Sequence, residues 1–157
     1  MPPFVFTALA AWCAVLTVVD LRERRLPNRL TGFGALAVFG YALIAGQFTV
    51  ATLGATFLAT PYLLVHLAAP AALGAGDVKL ALGLGGAAAL GGAQAWVWAA
   101  LGAPALTACI ASAALAARHM RTSGVGGPAG TRCTVPHGPS MCLATLLVLV
   151  SPVMDSG

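Results

Sequence analysis

The sequence predicts an all-α, polytopic membrane protein with about six transmembrane helices, on three grounds. Charged residues make up 8% of the 157, where a soluble domain carries roughly 25%. Apolar residues make up 59%, and the mean hydropathy is +0.92. Eight basic and four acidic side chains cannot furnish the polar exterior of a water-soluble globule. The apolar runs are long and lack the period-2 alternation of a membrane β-barrel. Disorder is excluded by the same apolar content. The length suggests a single integral-membrane domain over residues 1–157.

The first span is read at residues 3–19, apolar throughout and ended by Asp20. A secretory signal would carry basic residues before its apolar stretch. Here Arg22, Arg24, Arg25 and Arg29 follow it instead, so a retained helix with its N-terminus outside is expected. The second span is residues 32–45, and Gly46-Gln47 is a turn. The third is 49–69, with Pro61 a kink candidate. The fourth, 77–91, is Gly/Ala-rich and only faintly marked. The fifth is 93–117, with Trp96 and Trp98 suited to an aromatic belt near its outer start. Residues 118–139 form a loop, and the sixth span is 140–153. The shorter spans fall below what a hydrocarbon core of roughly 30 Å asks of a helix, so either their ends lie further out or the bilayer thins locally.

With the N-terminus outside, the inner segments are 20–31, 70–79 and 118–139. They hold Arg22, Arg24, Arg25, Arg29, Lys79, Arg118, Arg121 and Arg132, which are all the basic residues of the chain. Such sorting fixes orientation, and it supports the faint fourth span, because deleting that span would send the last three arginines outside. The net charge of +4 is thereby explained by topology, with no call for nucleic acid as a partner. Cys13, Cys109, Cys133 and Cys142 form no CxxC pair and read as packing residues. His66 reads as a helix-contact residue, and His119, Cys133 and His137 match no metal-site spacing, so no metal and no cofactor are expected. The fourth-span glycines suit close helix packing, or local unwinding beside a site.

The acids are Asp20, Glu23, Asp77 and Asp155. Glu23 falls among the arginines and suits a solvated ion pair. Asp20 closes the first span and Asp77 opens the fourth, so both lie at one depth on the inner side. Taken singly, Asp20 suits a partner for Arg24 or the headgroups, and Asp77 a helix N-cap. Taken together, they suit aspartic-protease chemistry. Close carboxylates share a proton. One draws a proton from water while the other hydrogen-bonds the scissile carbonyl and helps protonate the leaving amine. Gly74 and Gly76 would permit unusual backbone angles and the approach of a substrate chain. Lys79, two residues from Asp77, points elsewhere on a helix and suits snorkelling to the interface. Pro27-Asn28 reads as a turn re-aiming the chain into the second span.

These residues resemble a known family. Gly74-Ala75-Gly76-Asp77-Val78-Lys79-Leu80 is similar to the GxGDxK[LM] motif of the type IV prepilin peptidases, which are GxGD intramembrane aspartic endopeptidases. Asp20, followed by Leu26-Pro27-Asn28-Arg29-Leu30-Thr31, resembles that family's Asp and [IL]PNxLT segment. Pro136-His137-Gly138-Pro139 resembles its PxGP motif, with His137 in the place of the usual aromatic or aliphatic residue. The resemblance implies that Asp20 and Asp77 are the catalytic pair. It implies prepilin or pseudopilin substrates, cut at the inner face of the bacterial cytoplasmic membrane, with lipid as the other partner. The larger members also carry an inserted cytoplasmic domain with paired CxxC motifs, and they methylate the new N-terminus. Only residues 20–31 separate the first two spans here, and no CxxC is present. The short branch that serves Flp-type pili, without methyltransferase activity, is therefore expected. The alternatives are a proton-coupled transporter using the same carboxylates and a non-catalytic scaffold. The oligomeric state leaves no mark in the sequence.

Overall fold

The computed structural model describes residues 2–23, 27–70, 73–122 and 138–154. They form six α-helices, with no strand among the described residues: α1 (Pro3–Glu23), α2 (Asn28–Ile44), α3 (Phe48–Ala68), α4 (Ala75–Leu90), α5 (Ala93–Thr122) and α6 (Gly138–Met154). Three of them are long and apolar enough to cross a membrane, at Pro3–Glu23, Phe48–Ala68 and Ala93–Ala114. α6 contributes a shorter apolar stretch, Gly138–Val150. The chain is a helical polytopic membrane protein.

Helix order agrees with the sequence, and the ends lie further out than the apolar runs suggest. α1 continues through Asp20 to Glu23, and α2 begins at Asn28. α4 begins at Ala75, and α6 at Gly138. The short helices thus reach 16 or 17 residues, or about 25 Å at the usual helical rise. The part of the 118–139 loop that lies at 123–137 falls outside the described residues; 118–122 prolong α5 instead.

α4 is the hub, packing against α2, α3, α5 and α6. Its buried residues are Leu80, Ala81 and an unbroken run from 83 to 89. A helix enclosed by four others has no lipid stripe, which is why this span was faint in hydropathy. Small residues let its neighbours approach. A Cβ on Gly85 would stand 2.7 Å from the Gly54 carbonyl oxygen of α3 and 2.8 Å from Leu58 Cβ. Helix α4 runs continuously from Ala75, so packing accounts for its glycines in this state. Large apolar residues sit outside instead: Phe33 and Leu36 on α2, Phe57 and Leu64 on α3, and Leu101 on α5 are exposed, as a lipid-facing surface requires.

Several polar groups in the apolar layer are satisfied internally. Thr52, Thr56 and Thr60 each donate to the carbonyl four residues back, at 2.7–2.8 Å. Trp12 Nε1 donates to the Leu30 carbonyl at 3.0 Å. Trp96 turns its indole onto the Gly54 carbonyl at 2.9 Å and is half-buried, so it ties α5 to α3 instead of serving a belt. Trp98 is exposed.

The Gly46-Gln47 turn is built as a Schellman motif. Gln47 N–H donates to Ala42 O at 2.8 Å and Gly46 N–H to Leu43 O at 3.1 Å. Gly46 has φ +67°, the left-handed conformation that glycine tolerates. Contacts between helices set their directions: Lys79 bonds Asn28, His66 meets Leu73, Asp20 lies within electrostatic reach of Cys142, and Gly91 packs against Leu149. The C-termini of α1 and α3 thus share one end of the bundle with the N-termini of α2, α4 and α6.

Candidate active site

Asp20 lies on the core stripe of α1. The buried residues of that helix are Leu9, Cys13, Leu16 and Asp20, spaced by four, three and four, the period of one helix face. Asp20 is only 7% exposed. It faces the first turns of α6, within electrostatic reach of Cys142, which also meets Thr17 and Cys13 of the same α1 face. Met141 and Ser140 of α6 are buried beside it in sequence.

Asp77 is the third residue of α4 and half-buried. Its Oδ2 accepts the Gly74 N–H at 3.2 Å, while its own N–H donates to Gly74 O at 3.1 Å. The carboxylate thus caps the helix it begins on and offsets the positive N-terminal dipole. Gly74 adopts φ −74°, ψ 149°, ordinary extended backbone. The expectation of unusual angles at Gly74 and Gly76 is not met; among the described glycines the positive φ values are at Gly46 and Gly92. The α3–α4 connection closes without a left-handed residue at either position.

The structure joins the two sequence motifs at Lys79. Its Nζ donates to Asn28 Oδ1 at 2.8 Å, 51 residues away. That bond ties the beginning of α4 to the start of α2. Asn28 is the first residue of α2, and Pro27 O accepts from Leu30 N–H at 3.0 Å and Thr31 N–H at 3.2 Å. The read turn is therefore a helix start. The pair is exposed, so each partner is worth about 0.5–1.5 kcal/mol at most. Lys79→Met, Asn28→Ala and the double variant are expected to lose similar stability in thermal unfolding. Additive losses would show that the two side chains do not act together.

Of the remaining motif residues, Gly138 is buried and Pro139 half-buried at the start of α6; Pro136 lies outside the described residues. α1 and α4 have no broad interface of their own, and both pack against α2 and α6. Near Asp77, Tyr62 of α3 went unmarked by sequence reasoning; it lies within electrostatic reach of the acid. His66, one turn on and read as a helix-contact residue, meets a backbone carbonyl of the α3–α4 connection, that of Leu73. A cavity of about 390 Å³ lies in the opposite half of the bundle, lined by Phe4, Leu9, Trp12, Val38, Tyr41 and Leu90 among others, with no acid in it.

A family model for the type IV leader peptidase family matches residues 7–118. The chain belongs to that family. The leader-peptidase match covers most of α1, all of α2 to α4 and most of α5, and so contains both Asp20 and Asp77; α6 lies beyond it. No curated protein and no solved structure gives a match. As a leader-peptidase family member the chain is a peptidase embedded in the membrane. Among its described residues no group of three or more His, Cys, Asp or Glu could hold a metal ion.

Proposed function

We propose that this chain is an intramembrane aspartic endopeptidase, with Asp20 and Asp77 as its catalytic pair, that removes the cytoplasmic leader from prepilin-like precursors. The observation that carries the reading is the setting of the two acids. Asp20 is buried on a core face at the bundle end where Asp77 opens the hub helix, in a chain of a leader-peptidase family. Burying a carboxylate at the edge of an apolar helix is costly without a use. Asp77 is half-buried and bonded to exposed Gly74 at the start of α4, on the side from which water would enter.

In this mechanism the ionised member of the pair takes a proton from water. The protonated member donates to the scissile carbonyl, then supplies a proton to the leaving amine. The titration belongs to the pair. Substrates of this kind present a short basic leader on an apolar helix, and the cut falls at the inner membrane face. The absence of CxxC pairs and the brief 20–31 link favour the short, Flp-type branch and proteolysis without N-methylation. The family match favours this reading over proton-coupled transport.

The test is direct. Purified protein in detergent, mixed with an Flp-type prepilin, should yield a product shorter by the leader and bearing an unmethylated N-terminus. An intact prepilin after prolonged incubation would refute the activity. The orientation is tested separately in a cysteine-free background. Gln47→Cys should react with an impermeant maleimide from outside, and Thr122→Cys only after permeabilisation; the reverse pattern would invert the topology.

A further inference from the structure

His66 and Asp77 hold opposite ends of one peptide unit. His66 Nδ1 lies 2.7 Å from the Leu73 carbonyl oxygen. A carbonyl only accepts, so Nδ1 carries the proton and donates. The nitrogen of that same peptide is the Gly74 N–H, which donates to Asp77 Oδ2 at 3.2 Å. The unit precedes the helix, with Gly74 in extended backbone as the N-cap of α4. A donor on its carbonyl polarises its N–H, so the two hydrogen bonds strengthen each other. Both groups on α3 share a face: Tyr62, near Asp77, is one turn before His66.

We propose that His66 is a positioning residue for Asp77, acting through the Leu73–Gly74 peptide. Its catalytic consequence rests on the reading of Asp77 as one of the pair; the link itself does not. The Gly74 N–H aims the Asp77 carboxylate from the start of α4. With His66, the carboxylate is registered against α3 as well. A reacting group needs such second support, because a displacement of about 1 Å costs up to roughly a hundredfold in rate.

Asparagine at position 66 places an amide N–H where Nδ1 stands, whereas glutamine reaches the place of Nε2 and phenylalanine donates nothing. Labelling with carbonyl-13C leucine and 15N glycine leaves only Leu–Gly junctions visible in a carbonyl-correlated NMR spectrum. The Leu73–Gly74 signal is assigned by its loss in Leu73→Ile. One signal then reports both bonds, through the Leu73 carbon and the Gly74 amide proton. In His66→Phe and His66→Gln both shifts should move upfield, and in His66→Asn both should stay near wild type. Asp77→Asn should move mainly the proton. On a prepilin-like peptide, a basic leader ending in glycine and followed by an apolar helix, kcat should fall roughly ten- to a hundredfold in His66→Phe and His66→Gln. KM should hold, and His66→Asn should restore kcat. A Gly74 proton that ignores His66→Phe and His66→Gln would overturn the link. Moved shifts with unchanged kcat, while Asp77→Asn is inactive, would overturn the positioning role. Full cleavage by Asp77→Asn would be a failure of the catalytic-pair reading instead, and would remove the catalytic half of the proposal with it.

Discussion

Asp20→Asn and Asp77→Asn are each expected to abolish leader cleavage while the protein inserts and accumulates as before. Asparagine keeps the shape of aspartate and loses the proton chemistry. At Asp77 its side-chain oxygen still accepts the Gly74 N–H that the carboxylate accepts at 3.2 Å, so the start of α4 survives. At Asp20 the new side chain occupies a buried place on the α1 stripe and carries no charge to desolvate there. General acid–base catalysis contributes roughly 10²- to 10⁴-fold, and loss of either member removes both roles because the two share one proton. Turnover should therefore drop at least about 1,000-fold for each. The double variant should be no worse than either alone, since residues acting as a unit do not add. Glu23→Gln, on the exposed last turn of α1, should cleave at the wild-type rate. Cleavage assays on the four proteins, with thermal unfolding alongside, check this. Unaltered turnover in Asp20→Asn or Asp77→Asn would remove that residue from the pair.

How much of this was legible in the sequence depends on where each partner lies. The apolar runs and the arginines clustered in the links between them gave the helices and their order, because both signals are local. Helix ends were less readable. Leu21, Arg22 and Glu23 look like the start of a polar link, yet they are good helix formers and α1 runs through them. Asn28 looks like a turn residue, yet Pro27, at φ −62° and ψ 128°, supplies the N-cap before it. The burial of Asp20 was there to be read, since it follows Leu16 by four and Cys13 by seven on one stripe. The Lys79–Asn28 bond spans 51 residues, and no spacing rule reaches that far. His66 was least legible. Its partner is a backbone carbonyl, and a carbonyl leaves no mark in a sequence.

Gly85→Leu is expected to prevent accumulation of the folded protein. A Cβ at this position would stand 2.7 Å from Gly54 O, 2.8 Å from Leu58 Cβ and 3.1 Å from Ala55 Cα. Two of those three atoms are backbone, so no rotamer change relieves the overlap, and α3 must move away from the hub. That movement strips the contacts around Gly54, whose carbonyl also receives Trp96 Nε1 at 2.9 Å, so α5 loses its tie as well. Overpacking by a methylene or two costs about 1–3 kcal/mol, and a leucine against backbone should exceed that, a large share of a total stability near 5–15 kcal/mol. Helix propensity works the other way, because leucine is favoured over glycine by up to about 1 kcal/mol in a helix interior. Gly40→Leu isolates that smaller gain: nothing lies within 4 Å of a Cβ there, so the variant should accumulate at least as well as wild type. Membrane-fraction yield and detergent unfolding temperature of the two variants decide between steric clash and propensity. Equal behaviour of Gly85→Leu and Gly40→Leu would mean that the α3–α4 contact is not held by the absence of a side chain.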